Sequence, residues 1–154
     1  MKIAIDLTPL YNRRITGVEV YGIELYQALL KTKEEITPIF RKENTLDSNA
    51  NAVVIDNGNR IIVENLLLSK TLRKLNIDIA LFPIFPPPID IYWGTNFKTI
   101  PTIHDLAFLH FNETLSFGAK YYLTPKYKLL LKKASKIITI SETVKTELET
   151  ISNI

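Results

Sequence analysis

The sequence has no cysteine among its 154 residues, which excludes disulfides, thiolate zinc sites, iron–sulfur clusters and cysteine nucleophiles. Only two histidines are present, too few for a histidine-rich centre, so no metal site is expected. No apolar run approaches the roughly 20 residues of a membrane-spanning helix. The N-terminus (MKIAIDL) enters strand-like alternation at once, without the longer apolar stretch and cleavage site of a signal peptide, so a cytoplasmic chain is expected. A strong excess of one charge is also lacking, since 19 basic and 16 acidic residues leave +3. That balance is too weak to indicate nucleic acid, and no nucleic-acid partner is expected, but it is compatible with an anionic ligand or lipid surface. What is present is 46% apolar and 23% charged. This is globular composition with ample core material, and residues 1–154 are expected to form a single domain without linker or repeat.

Apolar periodicity switches repeatedly between strand and helix character. Strands are expected at 1–7, 36–41, 52–56, 77–82, 98–104 and 136–140. Between them, Thr16-Gly17-Val18-Glu19 has capping-box spacing and opens a helix over 17–32, with Val18, Tyr21, Leu25, Ala28 and Leu29 on one face. A second helix over 60–75 carries Ile61, Leu68, Leu72 and Leu75 at helical spacing, a third spans about 124–134, and Ser141 caps a fourth through Glu149. Four prolines between Pro83 and Pro88 demand a shaped loop, and Pro101 argues against a fully paired central position for the strand over 98–104. Strands alternating with helices predict an α/β fold: a Rossmann-like, doubly wound, mostly parallel sheet with helices on both faces. Ligands of such sheets bind outside the carboxyl ends of the strands.

Four clusters fall at those ends. Thr8 to Gly17 includes a helix start whose free amides suit a phosphate or carboxylate, with Thr16 beside it and Arg13 and Arg14 adding positive charge. A tight turn explains Gly17 more simply, and neither the Gly-x-Gly-x-x-Gly of dinucleotide folds nor the Gly-Lys-Ser/Thr of phosphate loops is present. Pro83 to Pro88 forms the second cluster. His104, directly after an apolar strand and followed by Asp105, fits either a ligand contact or a hydrogen-bonded structural histidine. Ser141 and Glu142 fit ligand contact or a plain helix cap. Separately, Lys120, Lys126, Lys128, Lys132, Lys133 and Lys136 with interleaved tyrosines and no acidic residue fit an anionic membrane surface or a solvated helix face.

Taken together, MKIAIDLTPLYNRRITGVEVYGIELYQAL, TIHDLAFLHF and KKASKIITISETVKTEL resemble the N-terminal, acceptor-side domain of GT-B fold glycosyltransferases, nearest to the large retaining family 4. Gly17 with Tyr21 and Leu25, Thr102-Ile103-His104-Asp105, and Ile140-Ser141-Glu142 carry the likeness, and the match is weakest over 36–76. The resemblance implies a hexosyltransferase of polysaccharide or glycolipid biosynthesis. Its donor substrate would be a nucleotide-diphosphate sugar, with no other cofactor, and its acceptor a glycan or lipid-linked molecule. It places Gly17, Thr16 and Arg13 near the donor diphosphate, His104 in the cleft as the catalytic candidate, and Asp105, Ser141 and Glu142 on the acceptor side. It also implies a C-terminal donor-binding domain, whose paired glutamates are not among these residues. The chain is therefore expected to be inactive until joined by that domain or by a separate donor-domain subunit, at the inner face of the membrane. A stand-alone glycan-, lipid- or partner-binding module is the competing expectation.

Overall fold

The computed structural model describes residues 1–11, 15–41, 51–55, 59–84, 86–106, 127 and 129–152. Six strands, β1 (Lys2–Asp6), β2 (Glu35–Arg41), β3 (Val53–Ile55), β4 (Ile79–Phe82), β5 (Lys98–Ile103) and β6 (Ile138–Thr139), form one sheet in the order β3-β2-β1-β4-β5-β6. Every neighbouring pair is parallel, so all six carboxyl ends lie on one rim. The expected Rossmann-like, doubly wound α/β architecture is what the chain adopts.

Period-two alternation buries both faces of the central strands. Ile3, Ile5, Ile36, Phe40 and Leu81 turn to one face, Ala4, Ile39, Ala80 and Phe82 to the other. On the first face lies α1 (Gly17–Leu30), with Gly22 and Tyr26 buried and Ile23, Leu25 and Leu29 packed beside them. Of the face expected from spacing, Leu25 and Leu29 pack as expected and Val18 and Tyr21 are half-buried, yet Ala28 is exposed. The stripe turns instead toward Gly22, a position that offers backbone rather than a side chain for packing and so leaves no hydrophobic letter to count.

The opposite face carries α2 (Arg60–Ile62), a π-helical turn (Val63–Leu67) and α3 (Leu68–Lys74) without a break. Asn59 caps the start, its side-chain oxygen accepting from the N–H groups of Ile61 at 3.0 Å and Ile62 at 3.3 Å. Val63, Leu68 and Leu72 are buried, whereas Ile61, expected on the same face, is 65% exposed. A π turn closes i→i+5 hydrogen bonds and holds more residues than an α turn, so the faces before and after it fall out of phase.

The β4–β5 connection is a strap with Ile91 buried in a 3-10 turn (Ile89–Trp93). Arg73 at the end of α3 fastens it, donating from Nη1 to the Gly94 carbonyl at 2.6 Å and from Nη2 to the Asp90 carbonyl at 2.8 Å. Gly94 has φ +108°, a conformation that favours glycine. Contrary to the expectation from Pro101, β5 is flanked on both sides. Its pairing with β6 involves only Thr102 and Ile103, so that side of the ladder begins past the proline. Beyond it, Ile103, Leu106, Leu130 and Leu148 form a smaller core that seats α4 (Glu142–Ser152). No helix among the described residues is long and apolar enough to cross a membrane.

Candidate functional site

β1 and β4 are the central neighbours, and successive strands proceed from them in opposite directions. The crevice above their carboxyl ends is therefore the topological switch point. β1 ends in the buried Asp6, whose Oδ1 accepts from the Thr8 N–H at 3.0 Å and the Thr8 hydroxyl at 2.7 Å. This local turn carries the chain over the rim toward α1. There the Thr16–Glu19 box forms as its spacing predicts: the Glu19 carboxylate accepts from the Thr16 N–H at 2.8 Å and from the Thr16 hydroxyl. Partial burial raises the Glu19 pKa, but the Thr16 hydrogen bonds, a backbone N–H and the nearby His104 outweigh it and hold the carboxyl below its ordinary value.

One turn further, α1 presents Tyr21 across the crevice to β5. Its ring meets the His104 ring edge-to-face, centroids 5.1 Å apart at 85°, and its hydroxyl lies 3.5 Å from the Thr102 hydroxyl. His104 Nε2 sits 2.7 Å from the Pro83 carbonyl oxygen. Thus the start of α1, the end of β4 and the end of β5 converge on one half-buried imidazole.

Of the residues expected from sequence, Thr16 and His104 are brought together, through Glu19 and Tyr21. Gly17 borders them and is open, with nothing beyond its chain neighbours and own helix within 4 Å of where a Cβ would stand. Asp105 is exposed at the same rim, and its charge adds to burial in pushing the Tyr127 hydroxyl up to about 12. Ser141 and Glu142 follow β6 on that rim but are engaged locally. The Ser141 hydroxyl accepts from the Val144 N–H at 3.2 Å, and Glu142 pairs with Lys145 at 3.4 Å, the helix-cap arrangement. Arg13, Lys120, Lys126 and Lys128 lie outside the described residues; Lys132, Lys133 and Lys136 are exposed. Among the described residues no cluster of metal-ligating side chains occurs. Sequence reasoning missed the Pro83 carbonyl, because a backbone acceptor has no letter of its own. It also missed the closeness of Glu19 to His104, for which the only signal was Glu19 sharing the first turn of α1 with Gly17.

No family model matches the chain, and no curated protein matches it. Five chains of solved structures match it, and three show the likeness. One is an alpha-glucosyltransferase in complex with UDP and a 13-mer DNA containing a HMU base, 14% identical, superposing 90% of this chain on 37% of that one with TM-score 0.52. The second is an alpha-glucosyltransferase with UDP-glucose and DNA containing an abasic site, 15% identical, covering 95% of this chain and 37% of that one with TM-score 0.54. The third, an alpha-glucosyltransferase with UDP and a 13-mer DNA containing a central A:G mismatch, is 15% identical over 94% of this chain and 38% of that one, with TM-score 0.53. The fold is glycosyltransferase-like. At such identities the likeness is one of fold, and the chain spans little more than a third of those proteins' length.

These structures correct one expectation. Nucleic acid was to have no place among the partners of such a chain, yet all three of these glycosyltransferases hold DNA. A net charge of +3 was a poor guide, because nucleic acid is gripped by local basic patches whatever the balance over a whole chain.

Proposed function

We propose that this chain is the acceptor-side, N-terminal domain of a sugar-nucleotide-dependent glycosyltransferase of the GT-B kind, nearest to the retaining hexosyltransferases of family 4. The observation that carries this reading is the convergence of α1, β4 and β5 on His104 at the switch point of a glycosyltransferase-like sheet. In it the Thr16–Gly17 helix start borders the donor, with Arg13 adding positive charge toward the diphosphate, and His104 meets the transferred sugar. Asp105 faces the acceptor; Ser141 and Glu142, already engaged in a cap and an ion pair, contribute less. Charge grows on the leaving diphosphate as the glycosidic bond breaks, so donors aimed there favour the transition state over the ground state. A second α/β domain completes the cleft and holds the nucleotide, since transfer requires both reactants in one enclosure.

The acceptor supplies a hydroxyl. The sequence resemblance favours a polysaccharide or glycolipid precursor, whereas the DNA in the three similar structures favours a second reading, a hydroxylated nucleic acid. Transfer of labelled glucose from UDP-glucose, measured with the chain joined to a donor domain and offered each acceptor separately, tests both. Label in either acceptor supports the transferase reading and chooses between them, and His104→Ala should then slow transfer at least about tenfold. No label in any acceptor, with glycan or DNA binding retained, would leave a binding module.

A further inference from the structure

Gly22 lies in the interior of α1, where glycine costs about 0.5–1 kcal/mol relative to alanine, so its presence calls for a compensating contact. The structure supplies one. A Cβ built on Gly22 would stand 2.8 Å from both Cγ1 and Cδ1 of Ile84 and 3.7 Å from Cγ of Pro83. The helix backbone is thus in direct contact with the turn that follows β4. The preceding carbonyl of that turn, Pro83, is the group 2.7 Å from His104 Nε2. A carbonyl oxygen only accepts, so Nε2 must be the donor. In the neutral ring Nδ1 then carries the lone pair, and no described residue is hydrogen-bonded to it. Glu19 beside it is a carboxylate already engaged by Thr16.

We propose that Gly22 is a positioning residue: by letting α1 approach the Pro83–Ile84 turn, it holds the Pro83 carbonyl on His104 Nε2 and fixes the ring as the Nε2–H tautomer, with Nδ1 offered as a hydrogen-bond acceptor. With the ring neutral, the lock leaves Nδ1 as an acceptor for a hydroxyl, the group that the glycosyltransferase reading places there; the tautomer lock itself does not rest on that reading.

The test is nitrogen-15 NMR of the imidazoles in the 154-residue chain at about pH 9, where unperturbed histidine is neutral; His110 is the only other histidine. The wild type should show a protonated Nε2 and an unprotonated Nδ1 at His104. Gly22→Ala should move both nitrogens toward the averaged position of interconverting tautomers. Gly22→Ala combined with Ile84→Ala, which removes both atoms that the new methyl meets, should restore the wild-type pattern. A merely structural glycine would change the melting temperature and leave the nitrogen shifts where they were. An Nδ1–H tautomer in the wild type, or unchanged His104 shifts in folded Gly22→Ala, would overturn the proposal. If Gly22→Ala alone does not fold, the double variant decides: fold and Nε2–H signature recovered together support the lock, and fold recovered without the signature overturns it. Because no transfer is measured, a failed transferase assay with this signature intact would count against the function and not against the lock.

Discussion

At the amino ends of the strands the structure is tied by charge. The Met1 ammonium pairs with Glu34, Lys2 with Glu35 at 3.8 Å, and Arg73 grips the carbonyls of Asp90 and Gly94. The Lys2 N–H also donates to the Asp78 carboxylate at 2.8 Å. At the carboxyl ends, around His104, the ties are different: an aromatic edge contact, one bond to a backbone carbonyl, and a carboxylate held by its own helix start. One end commits its donors to its own carboxylates and carbonyls, and the other is held by fewer ties. The difference teaches that the rim where successive connections diverge is the more lightly tied of the two, as the proposed site requires, while the opposite rim is organised for closure.

The sharpest way to separate the two ends is first to damage what they share. Leu72, fully buried on the α3 face, should cost about 2–5 kcal/mol on truncation to alanine. At roughly 2–4 °C per kcal/mol for a domain of this size, a calorimetric melt would register it, while His104 nitrogen shifts in the folded protein should not move. Next comes the closure end alone. Arg73→Ala removes two charge-assisted bonds to carbonyls, but its side chain is 38% exposed. Solvent screening discounts the loss to about 1–2 kcal/mol, read as a lower urea midpoint. A change at His104 in this variant would break the proposed independence of the two rims.

The smallest effect belongs to the ligand end. Folding lowers the Glu19 pKa from its ordinary 4.5. Its contribution to stability is therefore complete above that value and disappears as pH falls through the folded-state pKa. Glu19→Gln should thus lower the urea midpoint slightly at pH 7, by an amount that shrinks as pH falls through the folded-state pKa. A gap between the two proteins that stays constant with pH would mean that the carboxylate's charge plays no part at the helix start.

Much of this was legible in the sequence. The alternation of strand and helix periods led directly to the parallel sheet, and hence to a rim carrying Thr16, Gly17, His104 and Ser141. In α1, Leu25 and Leu29 were legible as core-facing, but the centre of the buried stripe was not, because Gly22 contributes through the absence of a side chain. Ile61 was misplaced because a π turn shifts helical phase without altering composition. The strap with Ile91, and the role of Pro83, depend on backbone carbonyls whose partners are fixed only once β4 and β5 lie side by side. His104 was legible as a candidate, but the choice between structural histidine and ligand contact was not. The structure gives His104 a hydrogen bond at Nε2, and the acceptor at Nδ1 belongs to the proposed tautomer.

Among the described residues the sheet has short outer strands: β3 has three residues and β6 has two. Strands so short offer a foreign strand little to pair with, which protects against edge-to-edge aggregation. Lengthening either margin with β-branched residues would remove that protection and should first be seen as loss of soluble protein on concentration.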